Sequence, residues 1–182
     1  MTKSVSLFSP DRYDTKPFYR QIPIDGVNAK STLTIHYSSH NEQEDIVITT
    51  KTAPIVNPKL NLKPKPDIRS TLTMPVNLFN RFMQHFYDLC SYELPPADAE
   101  IHRDTFTLHE RDFTLAKHAF KISIQLSEGV YGKERIAVLF REEKLSPPTY
   151  NNESVRIPWI HLMDTLTAMR NVHQDLMNHK LL

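Results

Sequence analysis

Nine histidines and one cysteine are the side chains of this 182-residue chain best suited to holding a metal or moving a proton. Their spacing argues against both. His36 and His40 are four apart, but they fall in a stretch of period-2 alternation, where that spacing does not make one helical face. His102, His109 and His118 sit near Asp104, Glu110 and Asp112 without the His-Glu-x-x-His arrangement of a helical metal site. We read them as exposed or locally bonded histidines and expect no metal. Arg141-Glu-Glu-Lys144 follows an apolar strand, as the Glu-x-Lys of metal-dependent nucleases does, and would make Glu142 the cation ligand. Its carboxylates fall at the strand end, so a charged turn is the better reading. Cys90 closes an apolar helical stripe and is expected to pack as a small hydrophobe. One cysteine excludes an intramolecular disulfide and a thiolate zinc cluster. Three glycines leave no P-loop or dinucleotide fingerprint, so no cofactor and no enzymatic activity are expected.

The remaining chemistry is cationic. Thr52 to Arg69 is the densest basic stretch, with Lys59, Lys63, Lys65 and Arg69 among four prolines and only Asp67 opposing them; Lys51 precedes it. Lys117, Lys121, Lys133, Arg135, Arg141 and Arg156 decorate the second half. In the strands, Lys121, Arg135, Arg141 and Arg156 alternate with apolar residues, so they are expected on a sheet face opposite the core. With Tyr37 and Tyr131, and with Phe18 and Tyr19 near the start, such a face could track phosphates and stack bases. The formal net charge is only +1, so a nucleic acid must be met by a local patch. Gly129-Val-Tyr-Gly132-Lys133 has the Gly-x-x-Gly spacing of an RNA-backbone clamp. That clamp joins two helices, whereas this segment joins two strands and is expected to be a hairpin turn.

The elements that position these residues occur twice. Leu33, Ile35 and Tyr37 alternate with polar residues, as do Ile46 and Ile48, and the same period recurs in Phe120, Ile122 and Ile124 and in Ile136, Val138 and Phe140. Tyr19 to Ile24 and Asp112 to Lys117 extend or precede the first strand of each half. Short strands then end at Pro75 and Pro158, each suited to the first turn of a helix. Phe79, Phe82, Met83, Phe86 and Leu89 line one stripe of the first helix; Trp159, Leu162, Met163, Leu166, Met169 and Val172 line the second. The fold class is therefore α+β: two tandem repeats of a curved antiparallel sheet followed by one helix, packed as a pseudo-dimer. The expected divisions are a flexible arm at 1–18, a first repeat at 19–92, a linker at 93–104 and a second repeat at 105–182. Each repeat is too small to cover its own sheet, so the helices either meet or cover the partner sheet.

The second half resembles the positive-cofactor-four family of transcriptional coactivators over about 60 residues. The matching residues are Phe113-Thr-Leu-Ala-Lys117, Phe120-Lys-Ile-Ser-Ile124, Gly132-Lys133, Ile136-Ala-Val-Leu-Phe-Arg-Glu142 and Ser154-Val-Arg-Ile157. Plant Whirly proteins and purine-rich-element binders use related strand-and-helix repeats. The resemblance implies a domain that dimerises and binds single-stranded or unwound DNA, with Lys117, Lys121, Lys133, Arg135 and Arg141 as backbone contacts. The family's lysine-rich approach to one strand is here Asn151-Asn-Glu-Ser154, and Glu143 stands where an aromatic residue is usual. A tandem copy would let one chain imitate the family's dimer.

The expectation is a non-enzymatic protein that binds single-stranded DNA or RNA in transcription, replication or genome maintenance, with further homo-oligomers open. The alternatives are a protein-docking or virion-type scaffold without nucleic acid and, behind it, a metal-dependent nuclease. The N-terminus lacks a signal-like apolar core and no stretch is long enough to span a membrane, so a soluble intracellular protein of nucleus or cytoplasm is expected.

Overall fold

The computed structural model describes residues 18–25, 29–54, 67–93, 107–116, 118–126, 136–143 and 154–182. Four antiparallel strands, β1 (Tyr19–Pro23), β2 (Ala29–His40), β3 (Gln43–Pro54) and β4 (Ile68–Pro75), pair in chain order and lead into helix α1 (Phe79–Cys90). A second set, β5 (Thr107–Leu115), β6 (His118–Leu126), β7 (Ile136–Glu143) and β8 (Val155–Pro158), also pairs in order and leads into helix α2 (Leu162–Asn178). The protein is thus α+β, with two four-stranded antiparallel sheets and a helix after each.

The period-2 residues set the faces. Leu33, Ile35, Ile46, Ile48, Leu72 and Met74 are buried in the first sheet, and Phe120, Ile122, Ile124, Val138, Phe140 and Ile157 in the second. Pro75 and Pro158 close the edge strands β4 and β8, where a missing N–H leaves no gap in the ladder. Each proline is followed by one 3-10 turn, Val76–Leu78 or Trp159–His161, before the α-helix begins. The β2–β3 hairpin turns through Asn41 and Glu42, both at positive φ (50° and 65°), the backbone of a two-residue type I′ turn. Asparagine tolerates that region; glutamate there is strained.

Both packings that the sequence left open occur together: α1 meets α2, and each helix also reaches across to the sheet of the other half. Phe82 of α1 sits with its ring centroid 6.1, 5.6 and 5.9 Å from those of Phe113, Phe120 and Phe140 in the second sheet. Phe86 adds an edge-to-face contact with Phe140 at 5.5 Å. In return α2 lies against β1 and β2. Its Asp175 carboxylate accepts from Arg20 at 2.9 Å and from the Phe18 backbone N–H at 3.3 Å. One apolar cluster therefore runs through both halves.

Two expectations about single residues need correction. Met163 is 61% exposed, because the buried stripe of α2 runs through Leu162, Leu166, Met169, Val172 and Leu176 with Thr165 and Ala168 beside it. Met163 lies one residue, about 100° of helix, away from Leu162. Phe18, expected at the end of a flexible arm, is packed into the fold: its ring touches Tyr37 and His179, and its carbonyl accepts from the Tyr37 N–H at 2.9 Å. Residues 1–17 of that arm and 94–104 of the linker lie outside the described residues.

Three histidines, two of them between the halves, are expected to make stability sensitive to acid. Burial lowers His36, His85 and His173 below the ordinary histidine value, and for His85 the nearby Arg111 and Arg81 add to the effect while Asp88 opposes it. His85 of α1 stacks on Phe113 of β5 at 4.0 Å, and His173 of α2 faces Phe79 of α1 at 6.4 Å, so two of the three sit where the halves meet. With the folded pKa below the unfolded one, the unfolded chain binds more protons. Stability is then full above about pH 6.5 and falls as the pH drops toward the lowered folded values. Urea midpoints taken from pH 7.5 to pH 5 are expected to decline, and to decline less for His85→Phe, which keeps the stacked ring and removes the titration.

Candidate nucleic-acid interface

The helices cover one face of each sheet, and the opposite faces carry the polar half of the strand alternation. On the first sheet the outer residues form cross-strand rows: Tyr19 opposite His36, Gln21 opposite Thr34 and then Thr49 and Thr71, Thr32 opposite Lys51 and then Arg69. The Thr49 and Thr71 hydroxyls are hydrogen-bonded at 3.2 Å, and the Tyr19 and His36 rings lie 6.2 Å apart. Lys51 and Arg69 are direct partners, and both are exposed. The Lys51 ammonium reaches Asp67 at 2.9 Å. No carboxylate among the described residues pairs with Arg69.

On the second sheet the rows are Asp112, Lys121 and Arg141, then Glu110, Ser123, Leu139 and Arg156. Lys121 and Arg141 are direct partners, as Lys51 and Arg69 are on the first sheet. The Lys121 ammonium lies 3.0 Å from Glu110 and 3.5 Å from Asp112. Ser123 is buried and lines a depression together with Glu110, Lys121, Gln125, Leu139, Arg141 and Ser154. Arg156 is exposed on β8, the edge strand that runs beside β3 and β4 of the other sheet.

Of the residues singled out for nucleic-acid contact, Lys51, Arg69, Lys121, Arg141 and Arg156 are therefore brought to helix-free faces. Tyr37 is not. It has the parity of Leu33 and Ile35, packs at the margin of the core beside Phe18, and donates its hydroxyl to Glu44 at 2.9 Å. Lys59, Lys63, Lys65, Lys117, Tyr131, Lys133 and Arg135 lie outside the described residues, as do His102, Asp104, the turn at Gly129 and Gly132, and most of the proline-rich stretch behind the scaffold alternative.

No known family matches the chain, and no curated protein does.

Histidine and carboxylate chemistry is dispersed. Among the described residues no group of three or more histidine, cysteine, aspartate or glutamate side chains is close enough to hold a metal ion. Glu142, the carboxylate a nuclease would need, points to the helix side and meets His118 Nδ1 at 2.6 Å. Burial pushes the Cys90 thiol up to about 11, which leaves it protonated and poorly nucleophilic at neutral pH. No helix among the described residues is long and apolar enough to cross a membrane. His36, weighed in the sequence only as a metal ligand, is an outer-face ring. It sits one row from the threonines beside Tyr19, and its parity with Thr32 and Thr34 was the available signal.

Proposed function

We propose that the two helix-free sheet faces bind single-stranded nucleic acid, DNA in the first instance, without enzymatic chemistry, in transcription, replication or genome maintenance. In this reading the two sheet-plus-helix blocks act as a pseudo-dimer within one chain. The supporting observation is a pair of like-charge neighbours on each face: Lys51 opposite Arg69, and Lys121 opposite Arg141. Like charges directly across a ladder destabilise a sheet, by an amount comparable to the 0.2–1 kcal/mol or so that opposite charges contribute. A phosphate backbone laid along such a pair adds negative charge that offsets the repulsion, and its counterions are released on binding.

The division of labour follows from the rows. Lysine and arginine neutralise phosphates, threonine hydroxyls donate to phosphate or sugar oxygens, and Tyr19 and His36 offer ring faces to bases. Burial keeps His36 neutral at physiological pH, which suits stacking better than ion pairing. Asp67, Glu110 and Asp112 keep the lysines partly neutralised in the unbound chain, in keeping with the net charge of +1.

Fluorescence anisotropy with labelled single strands and duplexes tests this. Single strands should bind more tightly than about 10 μM at low salt, with log affinity falling linearly against log salt and a slope of about −0.7 per phosphate contacted. Absence of binding at that concentration overturns the proposal, since non-specific contacts alone commonly reach about 10⁻⁴–10⁻⁶ M at physiological salt.

A further inference from the structure

The two outer faces are chemically different. Ile46 lies opposite Met74 just before Pro75, and Val138 opposite Ile157 just before Pro158, which aligns the sheets residue by residue. Tyr19 then occupies the place of Glu110, Thr34 that of Lys121, His36 that of Ser123 and Thr49 that of Arg141. Where the first sheet presents hydroxyls and rings, the second presents a carboxylate and two cations in a depression of about 80 Å³ that Ser123, Gln125, Leu139 and Ser154 also line.

A pocket for phosphate alone has no use for Glu110, whose charge repels the ligand. A nucleobase does. Glu110 on β5 and Arg141 on β7 are separated by β6, so their backbones stand at least two strand spacings, about 10 Å, apart, with Lys121 of β6 between them. A carboxylate accepts two hydrogen bonds side by side. Guanine offers two adjacent N–H donors, N1–H and the N2 amino group, together with O6 and N7 acceptors for lysine or arginine. Adenine and cytosine place a lone pair beside their amino group, and thymine flanks its single N–H with two carbonyls. Each of these would set an acceptor against the carboxylate. Lys121 reaches Asp112 as well as Glu110, so it keeps a carboxylate partner when Glu110 turns to a base.

We propose that the depression on the second sheet is a guanine pocket, with Glu110 accepting from the Watson–Crick edge and Lys121 and Arg141 donating to O6 and N7. This rests on the nucleic-acid reading of the same face for a guanine within a strand, while a free guanine nucleotide would supply the same chemistry.

Anisotropy with a thymine-only 12-mer, and with the same 12-mer carrying guanines isolated between thymines, measures the selectivity; calorimetry with guanosine monophosphate measures the free nucleotide. The guanine strand is expected to bind about tenfold more tightly, the scale of one good base contact. Glu110→Gln, at a side chain 43% exposed and therefore tolerant of exchange, should bring that ratio to about one. The same substitution should tighten the thymine-only strand by removing a repulsive charge. Equal affinity of the wild-type chain for both strands overturns the guanine pocket and leaves the nucleic-acid reading standing. Guanosine monophosphate bound with neither strand bound supports the pocket and overturns that reading. No binding of any of the three overturns both.

Discussion

Replacing Phe82 with alanine is expected to cost about 3–5 kcal/mol, the range for deleting a large buried ring. Phe82 is fully buried on α1, and three of its ring neighbours, Phe113, Phe120 and Phe140, belong to the second sheet. The void would open at the contact between the halves, where neither side can close it without moving a whole sheet. The loss should therefore appear as one cooperative shift. The only tryptophan, Trp159, stands half-buried in the 3-10 turn before α2, so its fluorescence reports the second half while far-ultraviolet circular dichroism reports all strands and helices. Both signals should move to the same lower urea midpoint in Phe82→Ala. A Trp159 transition left in place while circular dichroism falls in two steps would mean that the halves fold separately.

Shared packing of this kind also explains where the sequence is readable. Alternation in Leu33-Thr-Ile35 and Phe120-Lys-Ile122 dictates strands with one buried face, and Pro75 and Pro158 mark the switch to helical period; all of that is local. The partner of each helix is not local. Phe82 carries no signal that its neighbours lie in the second sheet, since any apolar surface satisfies an apolar stripe. The same limit applies to Met163: an apolar residue beside the stripe looks like part of it until packing fixes the helix rotation. Asp175 and Arg20 are 155 residues apart, and their pairing depends on α2 crossing to β1.

The outer faces were legible in part for the same reason. Parity alone places Lys121, Arg141 and Arg156 opposite the core, and it also places Tyr37 with Leu33 and Ile35, away from the outer face. Parity says nothing of register. That Lys51 meets Arg69, or that Glu110 stands one strand from Ser123, follows only once hairpin lengths fix the pairing. The carboxylates that temper the cations became visible with that register, because Glu110 and Asp112 reach Lys121 across a strand, not along the chain.

Arg69→Glu should separate stability from binding. Opposite Lys51 it converts a like-charge pair into an opposite-charge one, so stability is expected to rise by about 0.2–1 kcal/mol. Single-strand affinity should fall about 10- to 30-fold, because reversing one charge near a phosphate removes an attraction and adds a repulsion of about 1 kcal/mol each at aqueous dielectric. A residue placed only for folding would not give changes of opposite sign. Arg156→Glu makes the matching change on β8, the edge strand next to β3 and β4. If one strand of nucleic acid crosses from the first sheet to the second, the two losses should multiply to about 100-fold or more, and the salt slope should flatten by about 1.4 for two contacts. If each face binds its own strand, a short oligonucleotide should still bind the unaltered face of each single variant, and each face of the double variant should lose no more than it does in the matching single variant. Measured affinities for the wild type, the two single variants and the double variant over 50–200 mM salt distinguish these outcomes, and unchanged affinity in all three variants removes the sheet faces from the binding site.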